Sequence, residues 1–211
     1  MGGIIVDSGN FDWKKGDFKV LTEKDESYHG LVFADHFGKA AYAARLRTVG
    51  LRDLGTIQSP FNAYLTLLGL DTLALRMERH SQNALAVAEF LEKSPYVDRV
   101  SYPFLKSSTS YDLAQKYLEG GSGVLSFEIK GGKDAAVKFI DSLKLTRLAV
   151  HVADVRSLAL HPASSTHRQL SDKELESVGI SPSLIRLSIG IEHIDDIIAD
   201  LGQALEQACL Q

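Results

Sequence analysis

Leu184-Ile185-Arg186-Leu187-Ser188-Ile189-Gly190-Ile191 is the stretch on which the reading of this chain turns. Its odd positions are all Ile or Leu, while Arg186, Ser188 and Gly190 share the even positions. Side chains along a strand alternate between faces, so the pattern predicts a β-strand with one apolar face toward covering helices. A guanidinium in mid-strand, beside a small hydroxyl and a glycine, can reach across open space. Its planar fork suits a carboxylate. The alternative is an arginine on a solvated sheet face, or one paired to a structural Asp or Glu.

The flanking sequence fits this strand into a layered fold. Downstream, Ile194, Ile197, Ile198, Leu201, Leu205 and Ala208 recur at helical spacing, and Asp195 and Asp196 suit the positive end of a helix. Upstream, Ser171-Asp172-Lys173-Glu174 is a capping box that opens a short helix. Strands are predicted over 97–102 and 123–129, with one or two more over 148–160. Helices are predicted over 110–118 and 134–143, the latter with Ala135, Ala136, Phe139, Ile140 and Leu143 on one stripe. This alternation predicts an α/β sandwich, a sheet covered by helices on one face at least.

Ser59-Pro60 starts a further helix, Ser as N-cap and Pro in the first position, which continues to about Leu91 with a kink or break near Gly69 and Asp71. A helix of that length joins two lobes. The predicted organisation is a first segment 1–58, a connecting helix 59–95 and a C-terminal α/β domain 96–211. In the first segment, residues 3–7 read as a short buried strand whose neighbours do not lie upstream. Residues 10–30 read as loop and 33–47 as an Ala-rich helix.

Composition narrows the function. The 211 residues are 45% hydrophobic and 24% charged, ordinary for a globular chain, with a net charge of −4. The longest Lys/Arg run is Lys14-Lys15, which argues against nucleic acid or an anionic membrane as partner. No apolar run approaches about 20 residues, so no membrane helix is expected. The single cysteine, Cys209, allows neither an intrachain disulfide nor a Cys-based zinc site, and the cytoplasm is the expected compartment.

Other candidates have plainer readings beside the chemical one. His161 and His167 flank Ser164, Ser165 and Thr166. A zinc site would need further ligands, so a loop tied by hydroxyl-to-backbone bonds is favoured. Gly120-Gly121-Ser122-Gly123 precedes a strand, whereas a phosphate loop follows one, so it reads as a flexible turn. Asp35 with His36, and Glu78-Arg79-His80, read as solvated faces or ion pairs on helices.

Four blocks together resemble the Cys/Met-metabolism family of pyridoxal-phosphate (PLP) enzymes. They are Ser59-Pro60-Phe61-Asn62-Ala63 through Arg76-Met77-Glu78-Arg79-His80, Gly123 to Glu128, Ser157 to Ser164 with Thr166-His167, and Arg186 to Glu192. The blocks stand in family order and at family spacing, and the resemblance extends from about residue 3 to the C-terminus. Asn62, Phe11-Asp12-Trp13 and the 50–55 stretch are most similar to the O-acetylhomoserine sulfhydrylase branch.

The resemblance implies the C-terminal α/β sandwich domain of a fold-type I PLP enzyme, preceded by a remnant of the large PLP-binding domain and the linking helix. It implies replacement of the acetoxy group of O-acetyl-L-homoserine by sulfide, giving homocysteine and acetate. Arg186 matches the family position that binds the substrate α-carboxylate. His151 matches a position usually held by a small polar residue near the substrate.

The family's Schiff-base lysine belongs ahead of Gly3, with the phosphate-gripping and pyridine-pairing residues further upstream, and Lys14 and Lys15 follow that position. No catalytic residue, cofactor ligand or metal ligand is therefore expected in this chain. Pyridoxal 5′-phosphate is expected in full-length family enzymes and not on this chain alone, which is expected to be inactive. Its expected partners are the amino-acid substrate, an N-terminal half and other subunits of a homo-oligomer. Self-association or partial disorder is expected over about residues 1–55. A non-catalytic binding or assembly module, half of a split enzyme, and the sister activities of cystathionine γ-synthase or methionine γ-lyase remain alternatives.

Overall fold

The computed structural model describes residues 2–209, except the side chain of Asp172. They divide into two units, one up to Asp71 and one from Thr72 onward. The boundary falls inside the stretch read as one connecting helix.

The first unit holds helices α1 (Lys19–Thr22), α2 (Phe33–Phe37), α3 (Ala41–Arg45), α4 (Arg52–Leu54) and α5 (Pro60–Asp71). The strand predicted over 3–7 does not form, and Ile4, Ile5 and Val6 are 88%, 63% and 84% exposed. A strand exists only through a neighbour's amides and carbonyls, and the described residues offer none there. The helix predicted over 33–47 is also broken. Gly38 takes φ 51°, a 3-10 turn spans Gly38–Ala40, and a π-turn follows α3 over Leu46–Leu51.

Leu21, Phe33 and Ala41 form a small core, with Trp13, Tyr28 and Tyr42 packed on it. Arg45 is fixed there by Asp25 at 2.9 Å and lies 5.2 Å over the Phe33 ring. Ser59 caps α5 by accepting from the Asn62 amide at 3.2 Å. No side chain of α5 is buried, although Phe61, Tyr64, Leu65, Leu67, Leu68 and Leu70 are on it.

The second unit is a five-stranded sheet with helices. Helix α6 (Leu73–Glu92) starts after the break expected near Asp71. It is followed by β1 (Val97–Ser101), α7 (Tyr111–Tyr117), β2 (Val124–Ile129), α8 (Gly132–Ser142), β3 (Arg147–Leu148), β4 (Leu158–Leu160), α9 (Asp172–Ser177), β5 (Leu184–Ser188) and α10 (Ile194–Cys209). The strand order is β1-β2-β5-β4-β3, antiparallel except for the β3–β4 pair.

The alternation read in β5 holds: Ile185, Leu187 and Ile189 are each fully buried. They join Leu125, Phe127 and Ile129 of β2, Ala84, Val87, Ala88 and Leu91 of α6, Phe139 of α8, and Ile197, Leu201 and Leu205 of α10 in one core. Burying each such Leu, Ile, Val or Phe contributes roughly 1.5–3 kcal/mol. Asp200, buried in α10, accepts from the Lys144 and Thr146 amides at 2.8 Å each and so ties that helix to the chain entering β3. Burial raises the Asp200 carboxyl, but these amide bonds outweigh it and hold the group below the usual carboxylate range.

Two elements end earlier than their sequence predicts. Strand β5 ends at Ser188: one further bond, from the Ile189 amide to the Gly123 carbonyl (2.7 Å), keeps the β2 register, and the Ile191 amide then turns to the Val155 carbonyl (2.9 Å). Residues 149–157, between β3 and β4, are irregular. Within them Ala153 sits at φ 65°, a left-handed conformation unfavourable for a residue with a Cβ. After β4, His161 is buried, with Nε2 2.8 Å from the Pro182 carbonyl and Nδ1 2.8 Å from Ser164 Oγ. The Ser165 hydroxyl donates to the His161 carbonyl at 2.5 Å. The capping box at α9 is present, the Ser171 amide donating to Glu174 at 2.8 Å.

Ala153→Gly is expected to stabilise the fold by about 1 kcal/mol, since the residue is exposed and its left-handed strain is relieved. A higher urea midpoint at unchanged slope would bear this out, and a lower one would refute it. Burial pushes the His161 imidazole below its ordinary range, partly opposed by its bond to Pro182. The unfolded chain therefore takes up this proton first. The stability His161 contributes should be complete above about pH 6.5 and decline as pH falls below that value. Melting curves of the parent and of His161→Gln between pH 7.5 and 5 should diverge in slope in that range.

Candidate functional site

Arg186 stands in the middle of β5, paired with Ser126 of β2 on one side and Leu160 of β4 on the other. Ser126 in turn opposes Ser101 of β1. Residues directly opposite in an antiparallel ladder share a face. Ser101, Ser126 and Arg186 therefore form a polar row on the face turned from the core.

The guanidinium of Arg186 is half-buried and directed at the irregular segment 149–157. Its Nη2 donates to the Val150 carbonyl at 2.8 Å and to the His151 carbonyl at 3.3 Å. Its Nε is buried without a hydrogen-bond partner, and among the described residues no carboxylate pairs with it. Burial alone pushes this guanidinium below the ordinary arginine range. A buried cation held only by neutral carbonyls is poorly compensated, and an incoming carboxylate would supply the missing charge.

His151 reaches the same place through its backbone. Its exposed side chain turns to Asp154, with Nε2 3.0 Å from Oδ2. Asp154 also takes the Arg156 guanidinium at 3.0 and 2.9 Å and accepts from the Arg156 amide at 3.0 Å. The side-chain bond from Arg156, its amide bond and His151 together hold the Asp154 carboxyl well below the usual carboxylate range.

A second knot lies just past Arg186. Glu192 accepts from the Ser157 amide at 2.6 Å and from the Ser157 hydroxyl at 2.9 Å, and that hydroxyl accepts from the Gly190 amide at 2.9 Å. On α6, Nδ1 of buried His80 lies 2.6 Å from the Ile189 carbonyl, and Asn83 donates to the Gly190 and Glu192 carbonyls at 3.0 Å each. Gly190 is required here, since a Cβ would collide with the Val155 carbonyl and the Arg156 backbone.

Asn83, Ser157 and Glu192 were not singled out as candidates in the sequence, and the reading of His80 as part of a solvated face is corrected. His80 is buried. The signal was its spacing: His80, Ala84, Val87, Ala88 and Leu91 continue one helical stripe.

The remaining candidates are structural. Both ring nitrogens of His161 are committed, and Asp35 is 2.5 Å from Lys14. The turn at 120–123 is packed: a Cβ on Gly121 would meet the Tyr102 hydroxyl, which donates to the Ser122 carbonyl at 3.0 Å. Among the described residues no group of three His, Cys, Asp or Glu could hold a metal, and no helix is long and apolar enough to cross a membrane.

Lys14 and Lys15 do not fit a pyridoxal group. Lys14 is engaged by Asp35, Lys15 lies 3.9 Å from Asp12, and both side chains are largely solvent-exposed. Neither stands in an enclosed site.

Comparison with known proteins gives the family. The profile of the family described as Cys/Met metabolism PLP-dependent enzyme matches residues 1–206. An O-acetyl-L-homoserine sulfhydrylase of Leptospira meyeri is 51% identical over 98% of this chain and 49% of its own length. A homocysteine synthase of Schizosaccharomyces pombe is 53% identical over 99% of this chain and 49% of its own. The chain thus spans about half the length of the curated relatives it matches. The solved structure of a Campylobacter jejuni protein described as an O-acetylhomoserine (thiol)-lyase, carrying N′-pyridoxyl-lysine-5′-monophosphate, superposes with TM-score 0.80. It is 46% identical and covers 89% of this chain and 45% of that one. With this match along nearly its whole length, the chain belongs to the PLP-dependent family of Cys/Met metabolism enzymes.

Proposed function

We propose that these residues form the substrate-gripping part of an O-acetylhomoserine sulfhydrylase, which exchanges the acetoxy group of O-acetyl-L-homoserine for sulfide. The observation that carries this reading is the uncompensated guanidinium of Arg186, half-buried, met by two carbonyls and by no carboxylate among the described residues. In this reading Arg186 takes the α-carboxylate of the amino acid. The Val150 and His151 carbonyls fix the direction of its fork, and the His151 side chain, turned by Asp154, borders the substrate.

Holding the carboxylate at one point orients the rest of the amino acid toward the reacting centre. Pyridoxal phosphate, where family enzymes bind it, supplies the electron sink for proton loss and departure of acetate. The lysine and the phosphate-gripping groups for that cofactor are assigned to the part of such enzymes that these residues do not span. The partners in this reading are that other half and further copies in a homo-oligomer. The single cysteine favours a cytoplasmic setting.

In the complete protein, Arg186→Lys should lower kcat/KM for O-acetylhomoserine about ten- to a hundredfold, the loss expected for a bond to a charged partner, mainly through KM for the amino acid. Steady-state kinetics with unchanged constants would refute the assignment. The 211 residues alone, mixed with pyridoxal phosphate and reduced with borohydride, should carry no site-specific pyridoxyl-lysine by peptide mass mapping. A single labelled lysine would overturn that half of the reading.

A further inference from the structure

We propose that Glu192 is a positioning residue for substrate binding: through Ser157 it holds the 149–157 segment whose carbonyls aim the Arg186 guanidinium. The inference rests on the reading of Arg186 given above and names a further residue on which it depends.

The segment that meets Arg186 has little to hold it. Between β3 and β4 it is irregular, and its sheet bonds end where the Ala149 amide donates to Ala159. At its far end the Arg147 amide of β3 donates to the Ser157 carbonyl at 3.1 Å, and the remaining bonds come from β5 and the chain that continues it. The Ala153 amide donates to Ser188 Oγ at 3.3 Å, and the Ile191 amide donates to the Val155 carbonyl at 2.9 Å. Glu192 supplies the bonds with charge behind them, at 2.6 and 2.9 Å to Ser157. Arg186 and Glu192 thus lie on one stretch of backbone and grip the same segment at its two ends.

The chemistry of the knot requires a carboxylate. Both groups of Ser157 that face Glu192 are donors, and an ionised carboxylate only accepts. Because the Ser157 hydroxyl gives its proton to Glu192, its oxygen is free to accept from the Gly190 amide. The bonds run one way, from Gly190 to Ser157 to Glu192. A glutamine would direct an NH₂ group at the hydroxyl and disrupt that order while preserving shape.

His80 and Asn83 hold the Ile189, Gly190 and Glu192 carbonyls from α6, so this turn stays anchored if the carboxylate is replaced. What is released is the segment carrying Val150 and His151.

The test uses the complete holoenzyme and two ligands, L-homoserine and 3-aminopropan-1-ol, which is the same molecule without its carboxylate. Binding is read from the change in cofactor absorbance, with melting curves run in parallel. Glu192→Gln should weaken L-homoserine about tenfold and leave 3-aminopropan-1-ol within about twofold. Ser157→Ala should reproduce this selective loss, and the double variant should add little to either single one. Equal weakening of both ligands by Glu192→Gln, or no weakening of either, overturns the proposal. Arg186→Ala is the control for the underlying reading. If it selectively loses L-homoserine while Glu192→Gln does not, only the role of Glu192 falls. If Arg186→Ala binds L-homoserine as the parent does, the carboxylate assignment falls and the proposal with it.

Discussion

The second unit depends on the close approach of the chain that continues its central strand past Ser188 to the segment that precedes β4. Gly190 lies so close to the Val155 carbonyl and the Arg156 backbone that no side chain fits between them. This contact brings the end of β5 against the irregular segment before β4, and the bonds of His80, Asn83, Ser157 and Glu192 gather round it. Arg186, four residues earlier on the same run of chain, inherits its surroundings from that contact. Its apolar neighbours Ile185 and Leu187 are sealed in the core, which leaves the guanidinium only the polar face to occupy.

Two kinds of free energy act on the arginine in opposite directions. Core burial on one face of β5 holds the backbone rigid and stabilises the unit. On the other face, half-burying an unpaired cation costs stability. A protein that keeps such a group keeps it poised for a ligand, because the desolvation has already occurred before the ligand arrives. The left-handed Ala153 is a second local cost in the same segment, and together they mark 149–157 as shaped for something other than stability alone.

Much of the second unit was legible in residue order. The two-residue period of β5, the helical stripe of α10 and the Ser171–Glu174 cap each correspond to elements in the structure, because each is a local rule satisfied by neighbouring residues. The strand expected over 3–7 failed for the opposite reason: strand character requires a partner, which a local sequence cannot show. Likewise Arg186 was visible from parity, whereas Asn83, Ser157 and Glu192 are joined across separations of 33 to 109 residues, which no spacing rule reaches. The irregular course of 149–157 was hidden too, since Val150, Val152 and Val155 have the look of a strand yet are exposed.

Helix α5 has a practical consequence. Twelve residues rich in Phe, Tyr and Leu, none of them buried, make a surface that water solvates poorly. Wherever these residues are prepared by themselves, sulfate or phosphate should drive them out of solution early, and chilling should loosen the resulting clusters, as hydration of apolar surface dictates.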